Sequence, residues 1–204
     1  MEPLIRIEGP AAPLLRANVD TDLIIRLDRL RENAKELLGP YALEALRRRE
    51  DGTEIPEFVL NRPPFRHAPI LLTGHNFGCG SSREGAVWAL KAFGIRCIVA
   101  QSFGDIFFGN CFQNGVLPVI MTGEDIDAIA AYAQEGASVS LDLPSQTIRT
   151  EPDGVYAFDI DPLNKSALLS GNDAISETQK RADEILTWQT GFRERNPWIF
   201  AKAG

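Results

Sequence analysis

Between residues 69 and 135 the chain alternates between two hydrophobic periods. Pro69-Ile70-Leu71-Leu72-Thr73, Ile95-Arg96-Cys97-Ile98-Val99-Ala100 and residues 116–120 are short, nearly continuous apolar runs. Such runs mark strands covered on both faces. Residues 83–93, 103–113 and 124–135 repeat instead at helical spacing. The alternation predicts parallel strands joined by right-handed crossovers. Gly94 is placed to end the first helix, and Ser102 to cap the second, with Asp105 in its first turn.

The flanks follow other patterns. Residues 4–17 read as a β-rich entry. In residues 27–50, Leu27, Leu30, Ala34, Leu37 and Leu38 share one helical face, which predicts a helix. Gly39-Pro40 interrupts it, and a second helix runs from Tyr41 to Arg49. Residues 51–68, rich in turn formers, predict a long loop. After residue 136, short strands are expected near 138–142, 146–149 and 155–159. Pro162 to Leu169 then reads as a short helix that Gly171 breaks. Asn172 or Asp173 is placed to cap a terminal helix reaching about Arg195.

At 204 residues, with 44% hydrophobic and 24% charged residues, the chain has the makings of one globular core with a helical tail. The net charge of −7 argues against nucleic acid, which needs a basic footprint. Arg47-Arg48-Arg49 is followed by Glu50-Asp51 and reads as a solvated helix end. Neither a signal-like start nor an apolar run of membrane-spanning length stands out. Three cysteines, an odd number, fit free thiols in a reducing compartment, so a cytoplasmic location is expected. Cys79, Cys97 and Cys111 lack the short spacing of zinc or iron–sulfur ligands, and no metal site is assigned.

The chemistry concentrates in Gly78-Cys79-Gly80-Ser81-Ser82-Arg83-Glu84, between a predicted strand and a predicted helix. A helix start offers unpaired N–H groups and a positive dipole end, and Arg83 adds a guanidinium fork suited to a carboxylate or phosphate. No Lys follows the glycines as a P-loop requires, and Arg83 replaces the third glycine of a dinucleotide fingerprint. A nucleophile elbow is excluded too: the final glycine is missing, and His67 and His75 both precede the serines. From position alone, Ser81 and Ser82 read first as helix caps, and Asp20-Thr21-Asp22 as a loop or helix cap.

Asn76-Phe77-Gly78-Cys79-Gly80-Ser81-Ser82-Arg83-Glu84, together with Asn18-Val19-Asp20-Thr21-Asp22, resembles the small subunit of 3-isopropylmalate dehydratase, the swivel domain of the aconitase superfamily. Ser102 to Asn110 and Leu117-Pro118-Val119 extend the resemblance, which runs from about residue 10 to 175. It implies a three-layer α/β swivelling domain with a mostly parallel sheet flanked by helices, plus a C-terminal helix. The domain is expected over residues 1–170 and a helical extension over 171–204. It also implies a hydro-lyase of leucine biosynthesis, active only with a large subunit. Ser81 matches the family's general base, Asp22 an active-site aspartate, and Ser82 and Arg83 substrate-holding residues. The segment from Ile25 to Leu38 is matched to substrate choice, with Leu27 or Leu30 lining the pocket and Arg26 and Arg31 turned away. No cofactor is expected in this chain; a [4Fe–4S] cluster that polarises the leaving hydroxyl is expected in the large subunit.

The sequence departs from the family at Gly85, where histidine is usual, at Arg26, where proline is usual, and over residues 171–178. Two alternatives therefore stand beside isopropylmalate isomerisation. One is a paralogous subunit acting on another 2-hydroxy diacid, such as methylmalate/citraconate or homoaconitate. The other is a non-catalytic carboxylate-binding or regulatory domain.

Overall fold

The computed structural model describes residues 1–172 and 174–200, apart from the side chains of residues 174 and 177. The chain divides into two compact units, Met1–Gly171 and Asn172–Gly204. In the first, seven strands form one sheet: β1 (Arg6–Pro13), β2 (Ile70–Leu72), β3 (Cys97–Ala100), β4 (Leu117–Ile120), β5 (Ser138–Asp142), β6 (Thr147–Thr150) and β7 (Gly154–Ala157). Their order across the sheet is β4-β3-β2-β1-β5-β6-β7. The first four are mutually parallel, as the apolar runs predicted, and β5 joins β1 antiparallel and opens an antiparallel ribbon.

Side chains alternate across this sheet and fill two cores. Ala12, Leu71, Ile98 and Ala100 face one way. They pack there with α4 (Glu84–Phe93), the Phe107 and Cys111 side of α5 (Asp105–Asn114), and the segment before β2. Ala11, Ile70, Leu72, Cys97 and Val99 face the other way, against α6 (Gly123–Ala133) and Leu168 of α7 (Pro162–Ser170). The result is the expected three-layer α/β arrangement. Gly94 ends α4 at φ 116°, Thr122 caps α6 by accepting from the Asp125 N–H, and Asp161 caps α7.

Four expectations need correction. The helix expected from Leu27 to the Gly39-Pro40 interruption is cut to α2 (Leu27–Glu32) and two single 3₁₀ turns, with a separate α1 (Thr21–Ile24) before it, and the second helix shrinks to α3 (Glu44–Arg47). Asn33 is extended and turns its side-chain amide back onto the Arg29 carbonyl at 2.9 Å, which stops α2. Leu43, left-handed at φ 54° and fully buried, stops any helix continuous from Tyr41. Arg47 is no solvated helix end: it is 4% exposed, donates to Asn61 Oδ1 (3.1 Å) and the Ala42 carbonyl (3.2 Å), and lies over the Phe93 ring. Ser102 does not cap α5, whose N-cap is Gly104; its hydroxyl accepts instead from the Asn76 N–H at 2.9 Å.

The second unit holds α8 (Ala174–Gln179) and α9 (Ala182–Arg195), two helices in place of the single one expected. Capping by Asp173 falls outside the described residues. No described residue of α9 is buried, and Trp188 stacks on Phe192 at 5.0 Å.

Candidate active site

The parallel strands β1, β2 and β3 end side by side, and the loops that leave them hold the candidate residues. Crevices outside the carboxyl ends of parallel strands are where open α/β sheets place ligands. The loop after β2 is zipped on both sides by backbone hydrogen bonds. The N–H groups of Asn18, Gly78 and Thr21 pair across to the carbonyls of His75 (2.8 Å), Val19 (2.7 Å) and Cys79 (3.0 Å). On the other flank, the Phe77 N–H donates to the Ser102 carbonyl at 3.0 Å and the Gly104 N–H to the Phe77 carbonyl at 2.9 Å. Asn18 and Asn76 both stand at positive φ, 54° and 59°, a conformation asparagine tolerates, and the Asn76 amide donates to Asn18 Oδ1 at 2.8 Å.

Gly78 locks the loop to α5. Its φ is +71°, and a Cβ there would meet Phe107 Cγ at 2.2 Å, so only glycine lets that ring lie against the backbone. Phe107 in turn packs edge-on against buried Phe77 at 5.5 Å. Phe103 and Phe112 add to the cores, while Ile106 is 55% exposed.

These restraints bring Asp22, Ser81, Ser82 and Arg83 together. Thr21 is buried and donates its hydroxyl to the Ser81 carbonyl at 2.9 Å, which pins the serine backbone. Asp20 shapes the loop: its carboxylate accepts from the Leu23 N–H at 2.8 Å and caps α1. Its neighbour Asp22 points instead to Arg83 and forms a short ion pair with its guanidinium. Arg83 is the N-cap of α4 and offers no side-chain acceptor, so Ser81 and Ser82 do not cap the helix. Both serines are exposed. The site thus presents two hydroxyls, a guanidinium and an uncapped helix start, an arrangement suited to holding a carboxylate beside a serine.

Leu30 and Leu27 differ in placement. Leu30 packs against the core at the second residue of α4, whereas Leu27 is 43% exposed on α2. Arg26 is exposed and paired with Asp28 at 2.9 Å, and Arg31 is exposed.

Behind the site lies a polar hub that the sequence did not announce. Asn114 is 6% exposed. Its carbonyl oxygen Oδ1 accepts from Trp88 Nε1 (3.0 Å) and Lys35 Nζ (3.1 Å), and its amide donates to Glu84 Oε1 and the Asn110 carbonyl, both at 2.9 Å. Its backbone carbonyl accepts from Lys91 Nζ at 2.6 Å. One residue therefore ties Glu84, next to Arg83, to α5 and to the segment after α2. In sequence Asn114 reads only as a helix end before Gly115, and its burial alone distinguishes it.

Among the described residues, no three His, Cys, Asp or Glu side chains converge as metal ligands. Cys97 and Cys111 are buried, and burial pushes both thiols up, away from the thiolate form. Cys79 is partly exposed.

Comparison with known proteins fits this geometry. The aconitase C-terminal domain model matches residues 1–124, and the LeuD_N model residues 129–162. The 3-isopropylmalate dehydratase small subunit of Parvibaculum lavamentivorans is 45% identical over 201 residues, 98% of this chain and 100% of that protein. The chain belongs to the 3-isopropylmalate dehydratase small-subunit family. A second member, from Xanthobacter autotrophicus, is 45% identical over the same span. The crystal structure of 3-isopropylmalate dehydratase (leuD) from Methanocaldococcus jannaschii superposes with a TM-score of 0.66 at 26% identity, covering 91% of this chain and 99% of that one. The family's match to the Ser81 loop thus lies inside the region that the domain model covers.

Proposed function

We propose that this chain is the small subunit of a heteromeric hydro-lyase of leucine biosynthesis, completed by a large subunit. The reaction is dehydration of 2-isopropylmalate to 2-isopropylmaleate, with rehydration placing the hydroxyl on the neighbouring carbon. The observation that carries this reading is the convergence of exposed Ser81 with the Asp22–Arg83 pair at an uncapped helix start, in a chain of this family.

In the proposed mechanism Arg83 and the first turn of α4 bind a substrate carboxylate, Ser82 adds a hydroxyl contact, and Asp22 orients the guanidinium. Ser81 removes the proton from the carbon next to the carboxylate and returns it on rehydration. A serine is a weak base unless its alkoxide is stabilised, and the helix start and Arg83 are the positive groups at hand. Arg26 is spent on Asp28 and faces solvent, which supports an apolar substituent over a third carboxylate. The thiols of this chain do not converge on a cluster, so we place the [4Fe–4S] group in the large subunit. The swivel domain is taken as residues 1–170 with a helical extension over 171–204. A cytoplasmic location is proposed with it: the three cysteines are free, and no described helix is long and apolar enough to cross a membrane.

The test is Ser81→Ala in the pair reconstituted with the large subunit. Turnover of 2-isopropylmalate should fall by at least about 100-fold, the low end for a positioned acid–base group. Co-purification with the large subunit should persist. Wild-type turnover in the variant would remove Ser81 from the chemistry.

A further inference from the structure

Gly85 is the second residue of α4, buried, and bare on the side where Leu30 of α2 lies. A Cβ on Gly85 would stand 2.5 Å from Leu30 Cδ2, 2.7 Å from Cδ1 and 3.2 Å from Cγ. The isobutyl group therefore occupies the volume that any other residue at 85 would claim. Leu30 matters because α2 is otherwise poorly anchored. The helix has no fully buried residue, and beside Leu30 it is tied to its surroundings by Arg29, which pairs with Glu44 at 2.9 Å and lies over Tyr41.

Two residues before Gly85 stands Arg83. Cα atoms two apart are separated by at most about 7.5 Å. Leu30, lying on Gly85, therefore stands beside the residue proposed to hold the substrate carboxylate.

We propose that Gly85 is a specificity-determining positioning residue, which seats Leu30 as an apolar wall beside Arg83, matched to a branched aliphatic substituent on a 2-hydroxy diacid. The proposal rests on the function proposed above. Gly85 touches no substrate itself; it acts by leaving room for Leu30. A larger residue at 85 drives the isobutyl group out of its seat and moves the wall.

The experiment compares Gly85→Ala, Leu30→Ala and the double variant in the reconstituted pair, with kcat and KM measured for 2-isopropylmalate and for 2-methylmalate. Gly85→Ala should lower the ratio of kcat/KM, isopropyl over methyl, about tenfold, within the range that one hydrocarbon contact supplies. The loss should fall on KM for 2-isopropylmalate. In the Leu30→Ala background the same Gly85→Ala change should alter the ratio less than about twofold, because the clash has gone; that is the non-additivity of residues in contact. A subunit that was merely less stable would lose kcat for both substrates alike and keep the ratio. An equal effect of Gly85→Ala in both backgrounds, or no change in ratio with either single variant, overturns the proposal. Should Gly85→Ala fail to assemble, Leu30→Val carries the test, and an unchanged ratio there overturns it. A wild-type pair inert on every 2-hydroxy diacid would instead overturn the functional reading itself, and the specificity proposal with it.

Discussion

Arg83→Lys separates charge from geometry at the candidate site. The guanidinium is 19% exposed and already holds Asp22, whose side chain is 61% exposed. A guanidinium has five donors in a rigid fork, so it can hold Asp22 and a substrate carboxylate together in fixed geometry, whereas the three donors of lysine radiate from one nitrogen and cannot form a bidentate pair. Losing a charge-assisted hydrogen bond to substrate costs about 1.5–3 kcal/mol, or about 10- to 150-fold in kcat/KM. The Asp22 pair is worth less: with its acid in water it contributes at most about 1 kcal/mol, roughly fivefold. Arg83→Lys should therefore raise KM and lower kcat in the reconstituted pair. Asp22→Asn should cost no more than about fivefold if Asp22 only orients the guanidinium. Steady-state kinetics on 2-isopropylmalate with both variants decide between these roles. Unchanged kcat/KM in Arg83→Lys would refute substrate contact. A loss above about 100-fold in Asp22→Asn would put Asp22 on the reacting atoms, as an acid–base group would be.

Three further outcomes are expected. Gly78→Ala should destabilise the subunit by about 2–4 kcal/mol, from left-handed strain added to overpacking against Phe107, as a shift in denaturant midpoint. Asn114→Leu should cost about 1–3 kcal/mol by stranding Trp88 Nε1, measured the same way. Native Asp28, Asp51, Glu54 and Asp142 are held below ordinary carboxylate values, chiefly by side-chain hydrogen bonds from Arg26, Thr53, Arg66 and Ser145 respectively. The unfolded chain then binds more protons in this range, so stability is fully present above the unfolded values and falls as the pH drops below about 4. Denaturant midpoints from pH 3 to 7 that fail to decline at the acid end would contradict this.

The parallel half of the sheet was legible because its strands are apolar on both faces and Gly94 marks the end of its first helix. The strands after residue 136 were legible as short runs, but their antiparallel pairing was not. The region from 27 to 50 misled because its leucines do fall at helical spacing, yet Leu38 and Leu43 are fully buried through 3₁₀ turns and a left-handed residue. Tertiary burial there overrides local periodicity. Ser102 misled for a related reason: a hydroxyl before a helix serves any nearby N–H, and here the Asn76 backbone claimed it. The candidate site residues were visible as a motif, but what Thr21, Gly85 and Asn114 do was not. Their roles depend on what lies across from them, and no spacing along the chain encodes a Leu30 lying on Gly85.

The placement of β1 has a consequence for how the subunit is made. This strand is synthesised before the other six of its sheet, yet it lies at the heart of it, parallel to Ile70–Leu72 on one side and antiparallel to Ser138–Asp142 on the other. One of its edges must wait unpaired until Ser138–Asp142 has been synthesised, so the two halves of the sheet cannot be joined early. Such long-range closure slows folding and lengthens the exposure of a sticky edge. Residues ahead of Arg6 are correspondingly tied down: the amino group of Met1 donates to the Gly171 carbonyl at 2.7 Å, and the Leu4 N–H to the Leu168 carbonyl at 2.9 Å. The beginning of the chain is thus secured only when residue 171 has emerged, and premature termination anywhere before that point leaves the central strand without its final clasp.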